Sequence, residues 1–262
     1  ATVSAALRRG WECVGIRDGY NGLLQPEHYP EGGLVALTHE RVRGIAHLGG
    51  TILGTTNRGN PFHFPQRQSD GRMVEVDRSD ELLQRLADAK VDALVTVGGD
   101  GSLGIAHELH RKGLRVVGVP KTIDNDIADC ERSFGFDTAV ATVTESLRRI
   151  ESTAMSHHRV MIVETMGRHA GWIALEAGIA GSANIILLPE IDYDIDIVAA
   201  VCRRRQEHER FTLICMGEGS KPLGGEITWD TPAPTDVGKR RLGGVAMRLR
   251  DQLQPLVGSE VR

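Results

Sequence analysis

Cysteine is scarce and scattered. The chain has 4, Cys13, Cys130, Cys202 and Cys215, with no C-x-x-C pair and no neighbouring histidine at metal-ligand spacing. A disulfide scaffold and a structural zinc site are excluded, and reduced thiols in a cytosol are the simplest account. Long apolar runs are missing too: no stretch approaches the roughly 18 uninterrupted apolar residues of a membrane span. The amino end shows no basic-then-apolar signal pattern. No excess of one charge exists either, since the net charge is -4 with 25% charged and 40% apolar residues. That balance excludes a polybasic nucleic-acid binder and a disordered chain, and leaves a soluble, cytoplasmic protein with neither nucleic-acid nor membrane partners. What is plentiful is glycine, 31 residues against 4% aromatics. Glycine serves where backbone turns sharply or approaches a ligand closely, so its positions matter.

At 262 residues the chain is long enough for one large domain or two modest ones. Short β-branched or apolar runs predict strands at Glu12 to Ile16, Ala93 to Val97, Val116 to Val119, Val160 to Val163, Ile185 to Leu188 and Thr212 to Met216. Amphipathic segments predict helices at Ser79 to Ala89, Ser102 to Lys112, Thr138 to Ser152, Ala170 to Ala180, Asp194 to Glu207 and Val245 to Leu253. This alternation predicts an α/β fold with mostly parallel sheets, whose ligands sit beyond the carboxyl ends of the strands. Ala1 lies inside an alanine-rich helical stretch reaching Arg9, and Arg262 follows an apolar helical run, so the sequence reads as a piece of something longer. Lys221 to Thr235, with glycines and three prolines, fits a mobile loop and a plain surface excursion equally.

Four turns at predicted strand ends carry the chemistry. In Val97-Gly98-Gly99-Asp100-Gly101-Ser102-Leu103-Gly104, the residues Gly99, Gly101 and Gly104 spell G-x-G-x-x-G between a strand and a helix, the context that cradles pyrophosphate. A dinucleotide reading conflicts with Asp100, which sets a carboxylate beside phosphate oxygens. It conflicts also with Pro120 and Lys121, which stand where a ribose-binding acid is expected. An acid beside a phosphate cradle makes sense with Mg²⁺ between them, which favours phosphoryl transfer over hydride transfer. A tight left-handed turn with no ligand is the plain alternative.

The second turn, Pro120-Lys121-Thr122-Ile123-Asp124-Asn125-Asp126, sets two carboxylates beside a lysine and a threonine hydroxyl. It offers a base, a metal or hydroxyl partner and a phosphate counter-charge, although Asp and Asn also populate loops for turn chemistry alone. The third, Glu164-Thr165-Met166-Gly167-Arg168-His169-Ala170-Gly171, presents an arginine fork suited to a sugar phosphate. His169, beside a helix start, and the pair His157 and His158 fit packing or solvated roles at least as well as catalysis. The fourth, Cys215-Met216-Gly217-Glu218-Gly219, puts a glutamate between glycines, able to accept bonds from sugar hydroxyls.

In order and spacing these turns resemble those of 6-phosphofructokinases, and the stretches Asp18-Gly19-Tyr20-Asn21-Gly22 and Gly49-Gly50-Thr51-Ile52-Leu53-Gly54 fit too. The resemblance covers essentially the whole chain. Some NAD and lipid kinases share the Gly98 to Gly101 turn but lack the motifs at Thr122 to Asp126 and Met166 to Gly171. The resemblance implies an α/β fold of two three-layer α/β/α Rossmann-like domains with mostly parallel sheets. Residues 1–135 would bind the donor and Mg²⁺ and lack their first strand and phosphate loop; residues 136–262 would bind fructose 6-phosphate and lack their carboxyl-terminal part. It further implies Mg-dependent transfer of the terminal phosphoryl group of ATP to the 1-hydroxyl of fructose 6-phosphate in glycolysis, with allosteric control.

By position, Asp124 matches the general base, with Thr122 and Arg168 beside it in catalysis. Thr122, Ile123, Asp126, Met166, Gly167, Arg168 and Glu218 match the sugar-phosphate pocket. Arg159 matches an arginine that reaches the sugar phosphate from a neighbouring subunit and Arg262 falls where a second is expected, implying a homodimer or homotetramer with shared active sites. Asp100 matches the Mg²⁺ residue; Gly98, Gly99, Gly101 and Ser102 match the donor-phosphate turn; Tyr20 and Arg58 match donor-side contacts. Gly101 and Lys121 form a mixed donor signature. In this family glycine at the first position goes with ATP and lysine at the second usually accompanies pyrophosphate. Gly101 favours ATP, because an open glycine is necessary for a nucleotide whereas a lysine only adds positive charge. The alternatives are a pyrophosphate-dependent enzyme and a catalytically silent fragment or regulatory subunit.

Overall fold

The computed structural model describes residues 1–208, 211–229 and 242–262. By contact the chain divides into two units, residues 1–97 with 101–119 and residues 98–100 with 120–262. The first runs through α1 (Thr2–Arg8), β1 (Val14–Ile16), α2 (Asn21–Leu24), β2 (Leu34–Ala36), α3 (His39–Val42), β3 (Phe64–Arg67), β4 (Met73–Val76), α4 (Ser79–Asp88), β5 (Leu94–Gly98), α5 (Asp100–Arg111) and β6 (Val116–Thr122). β5, α5 and β6 each contribute end residues to the second unit.

Leu82 and Leu86, four apart on α4, share one helix face and pack with Leu23, Leu24, Phe64 and Leu109 as the core of the first unit. Asp80 and Glu81 lie in the first turn of α4, where the helix dipole favours acids. β1 pairs with β2 and β3 with β4, each as an antiparallel two-stranded ribbon. Sequence alternation does not reveal β2, β3 or β4, which are three or four residues long, and β3 carries Pro65 in a two-stranded ribbon. Val95, Val97 and Val117 of β5 and β6 stand exposed on one face of their sheet.

The second unit continues through β7 (Phe134–Gly135), α6 (Phe136–His157), β8 (Val160–Thr165), α7 (Trp172–Ala180), β9 (Ile185–Leu187), α8 (Ile195–His208), β10 (Thr212–Gly217) and α9 (Val245–Leu253). β7 joins β6 in parallel, and β10 lies between β8 and β9, parallel to both. All six residues of β10 are buried, as a central parallel strand requires. Side chains alternate across it. Ile214 and Met216 enter a core with Val198, Ala199 and Cys202 of α8 and Val245, Leu249 and Leu253 of α9. Cys215 packs instead with Leu147 of α6 and Ala174 of α7. Helices therefore cover both sheet faces, giving three layers. A final segment lies beside β8: the Ile162 N–H donates to the Arg262 carbonyl at 2.7 Å, and the Arg262 N–H to the Val160 carbonyl at 2.9 Å.

Helix limits depart from periodicity. α6 is longer than the predicted Thr138 to Ser152, starting after the left-handed Gly135 at φ 107°, and α7 starts at Trp172 rather than Ala170. The proposed loop Lys221 to Thr235 is anchored at its start. The Tyr193 N–H donates to the Lys221 carbonyl at 3.0 Å and the Leu223 N–H to the Tyr193 carbonyl at 2.9 Å. Residues 230–235 of that stretch lie outside the described residues. Among the described residues no helix is long and apolar enough to cross a membrane.

Candidate active site

α5 begins at Asp100, two residues before the predicted Ser102, directly after Gly98 and Gly99 at the end of β5. The N–H groups of Gly99, Asp100, Gly101 and Ser102 thus precede the first helical hydrogen bond and, with the positive end of the dipole, would face an anion placed there. Gly98, Gly99, Gly101 and Gly104 all have ordinary negative or extended backbone, none in the left-handed region. That overturns the plain tight-turn reading. A Cβ added at Gly101 or Gly104 meets nothing within 4 Å, and at Gly99 only Thr122 Cβ at 3.7 Å and the Lys121 carbonyl at 3.8 Å. Neither strain nor packing demands these glycines; what they preserve is open space above a helix N-terminus.

The same Gly99 contact brings the first turn against the second. There the Asp124 N–H donates to Thr122 Oγ1 at 3.2 Å, and Asn125 takes a left-handed φ of 53°. Buried Ser133 clamps the turn: its hydroxyl donates to the Thr122 carbonyl at 2.8 Å and its N–H to Asn125 Oδ1 at 2.8 Å. Asp124 is half-buried, and its Oδ1 is enclosed without a hydrogen-bond partner. Burial pushes its carboxyl above the ordinary aspartate value, and the charge of Asp126 adds to the rise. A half-buried carboxylate with an unpartnered oxygen and raised pKa is built to take a proton. Ile123 is half-buried, while Lys121 and Asp126 are exposed.

The third and fourth turns interlock. The Glu218 N–H donates to the Thr165 carbonyl at 2.9 Å and the Gly219 N–H to the Gly167 carbonyl at 3.1 Å. Gly167 has a φ of 138°, and a Cβ on Gly219 would overlap the Arg168 carbonyl oxygen, so both positions require glycine. Glu218 is half-buried and its carboxyl is pushed up, first by burial; Glu164 and Asp124 add to the rise, against a Gly167 backbone hydrogen bond and Arg168. Asp124, Arg168 and Glu218 therefore share one electrostatic neighbourhood. The Arg168 guanidinium lies 5.4 Å from the Trp229 ring centroid, with Nε buried and unpaired. Met166 is exposed, as are His157, His158 and His169.

Sequence reasoning missed the supports around this site. Glu164 accepts from the N–H groups of Gly244 at 3.0 Å and Ala246 at 2.9 Å, capping α9 from β8. Its only sequence signal is an acid where an apolar strand residue is expected. Arg159 and Arg262 meet on Glu260, which accepts from Arg159 Nε at 2.6 Å and Arg262 Nε at 2.7 Å. Tyr20 and Arg58 belong to the first unit, by contact, together with Gly101 and Ser102. Burial pushes the Tyr20 hydroxyl up, and its oxygen is enclosed without a hydrogen-bond partner, while Arg58 is exposed.

Among the described residues no group of three or more His, Cys, Asp or Glu could hold a metal ion. An all-protein cage is therefore absent from them, whereas a magnesium ion shared with phosphate oxygens needs only one or two carboxylates. Asp100, exposed at the start of α5, fits that smaller demand.

The family model described as Phosphofructokinase matches residues 1–262. An ATP-dependent 6-phosphofructokinase 2 of Clostridium perfringens is 46% identical over 98% of this chain and 69% of its own length. A pyrophosphate–fructose 6-phosphate 1-phosphotransferase of Amycolatopsis mediterranei is 42% identical over 100% of this chain and 73% of its own. The solved phosphofructokinase of Saccharomyces cerevisiae superimposes with a TM-score of 0.75 at 29% identity, covering 100% of this chain and 34% of that one. With this fold, these strand-end turns and these relatives, the chain belongs to the phosphofructokinase family.

Proposed function

We propose that the chain carries the phosphotransferase chemistry of an ATP-dependent 6-phosphofructokinase, moving the terminal phosphoryl group of ATP to the 1-hydroxyl of fructose 6-phosphate in the cytoplasm. The observation that carries this reading is Asp124: a half-buried carboxylate with an unpartnered oxygen and a raised pKa, one contact away from a glycine-lined helix N-terminus. In this reading Asp124 removes the proton of the attacking hydroxyl. The free N–H groups from Gly99 to Ser102 hold donor phosphates, with Gly98 leading the chain into that turn and Tyr20 and Arg58 on the donor side. Thr122, Ile123, Asp126, Met166, Gly167, Arg168 and Glu218 hold the sugar phosphate, while Arg159 and Arg262 reach it from a neighbouring subunit of a homodimer or homotetramer.

Asp100 would hold Mg²⁺, which when bound neutralises charge on the phosphates. Phosphoryl transfer needs little covalent help, so alignment and charge supply most of the rate and the base about 10²-fold to 10⁴-fold. The open space over Gly101 supports ATP, as do ATP-dependent relatives such as that of Chloroflexus aurantiacus at 44% identity. Exposed Lys121 at the end of β6 and the Amycolatopsis relatives favour pyrophosphate as the second reading.

Phosphorus NMR of fructose 1,6-bisphosphate formation, with Mg²⁺ and either ATP or pyrophosphate as sole donor, tests both on this chain and on a version extended at both ends. ATP-only turnover is expected. Pyrophosphate-only turnover would transfer the donor choice to Lys121. Silence of both proteins with both donors would remove the kinase reading, and activity in the extended protein alone would mean that this chain by itself is a silent fragment.

A further inference from the structure

Arg159 ends the turn after α6, and Arg262 lies on the segment beside β8, so the Val160↔Val261 bridge sets the two arginines next to one another. Two guanidiniums side by side repel, and here one carboxylate joins them. Glu260 Oε2 takes Arg159 Nε at 2.6 Å, while Oε1 takes Arg262 Nε at 2.7 Å and an Nη at 2.6 Å. Both arginines depress the Glu260 carboxyl below its ordinary value, Arg262 foremost. The register is fixed by backbone as well, because the Val160 N–H donates to the Glu260 carbonyl at 3.0 Å. The Arg159 side chain is only 18% exposed, so most of it is held against the protein. The cluster carries one net positive charge, and each Nε is already occupied. The terminal N–H groups of Arg159 are left as its remaining donors, and a planar fork of that kind matches a phosphate.

We propose that Glu260 is a positioning residue that aligns Arg159 and Arg262 as a single phosphate-binding fork. This rests on the reading of those arginines as sugar-phosphate contacts. Glu260 itself does not touch the sugar; its negative charge lowers the cost of holding two cations together, and its two oxygens set their outward faces. A carboxylate placed instead to compete with the phosphate would have the opposite effect on affinity, so the sign of the change decides.

The test is steady-state kinetics of the protein expressed from its full reading frame, with Glu260→Gln, Glu260→Asp and Arg159→Ala compared with the parent. Glu260→Gln keeps the shape but removes the charge, and thermal melting checks that it folds. The expected result is a KM for fructose 6-phosphate raised about tenfold, the worth of roughly one aligned charge-assisted hydrogen bond, with most of the loss in KM rather than kcat. The KM for the donor should stay within about twofold, since the affected fork is assigned to the sugar. Glu260→Asp should recover part of the affinity. If Arg159→Ala raises KM while Glu260→Gln leaves it unchanged or lowers it, the inference is overturned and the sugar-phosphate reading stands. If Arg159→Ala also leaves KM unchanged, that reading falls and takes the inference with it.

Discussion

Replacing Asp124 with asparagine separates catalysis from stability in one side chain. The carboxyl is pushed up by burial and by Asp126, so it binds its proton more tightly in the folded chain than in the unfolded one. A folded-state pKa above the unfolded value means that ionising the group, as pH rises past the ordinary aspartate range, costs folding free energy. Asparagine never ionises, so Asp124→Asn should melt at the same temperature as the parent or higher at neutral pH. Its turnover should fall by about 10²-fold to 10⁴-fold, the contribution of a positioned base, while the KM for fructose 6-phosphate changes by no more than about threefold. The pH profile adds a second handle. A base works ionised, so the acid limb of kcat/KM in the parent should lie above the ordinary aspartate value of 3.8. Asp126→Asn removes one of the two causes of the rise and should move that limb to lower pH. Coupled-assay kinetics from pH 4 to 9 and differential scanning fluorimetry supply both readouts. A loss of turnover under about tenfold, or a clearly lowered melting temperature for Asp124→Asn, would refute the reasoning that this carboxylate is kept for chemistry at a cost in stability.

Gly101→Asp should fold normally, because a side chain there meets nothing within 4 Å, yet its kcat/KM for ATP should drop at least about 100-fold through crowding and like charge at the phosphates. Kinetics with ATP and with pyrophosphate check it, and undiminished ATP use would remove Gly101 from the donor site. Ser133→Ala removes the bond to the Thr122 carbonyl and should destabilise by about 1–3 kcal/mol, with kcat falling more than KM as the Asp124 turn loosens. Urea unfolding and kinetics measure the two, and an intact kcat would mean that Asn125 alone holds the turn. Leu249→Ala, at a fully buried position of α9, should cost about 2–5 kcal/mol in the same unfolding assay, and a change near zero would mean that this face of the β10 sheet is not a packed core.

The site was legible where chemistry sits in one short stretch at the end of an apolar strand. Thr122 to Asp126 and Met166 to Gly171 are such stretches, each set by parallel pairing at the carboxyl end of its own strand, β6 in one sheet and β8 in another. Contacts across long separations were not legible. Arg159 and Glu260 are 101 positions apart, and Glu164 reaches Gly244 across 80. No periodicity encodes those pairings, because each depends on which strand lies beside which. The short antiparallel strands β3 and β4 escaped for a different reason: four residues give too few alternations to distinguish a strand from a turn.

Glycine shows how far composition alone can go. Abundance says that backbone turns tightly or approaches something closely at many places, but Gly101 and Gly219 read identically in the sequence, each flanking an acid in a strand-end turn. The structure separates them by what a methyl group would meet. At Gly219 it would overlap the Arg168 carbonyl oxygen, so that glycine is explained by the protein's own packing, which seats Glu218 against the Arg168 loop. At Gly101 it would meet nothing, with a backbone any residue could adopt, so the protein's own atoms give no reason for glycine. A residue whose smallness is unexplained by its neighbours, at a helix N-terminus and one residue after an acid, is best explained by a molecule that comes and goes. Anionic phosphate is the group that such an N-terminus attracts. A phosphate donor is thus indicated by the contrast between two glycines, one filled around and one left open, rather than by the number of glycines in the chain.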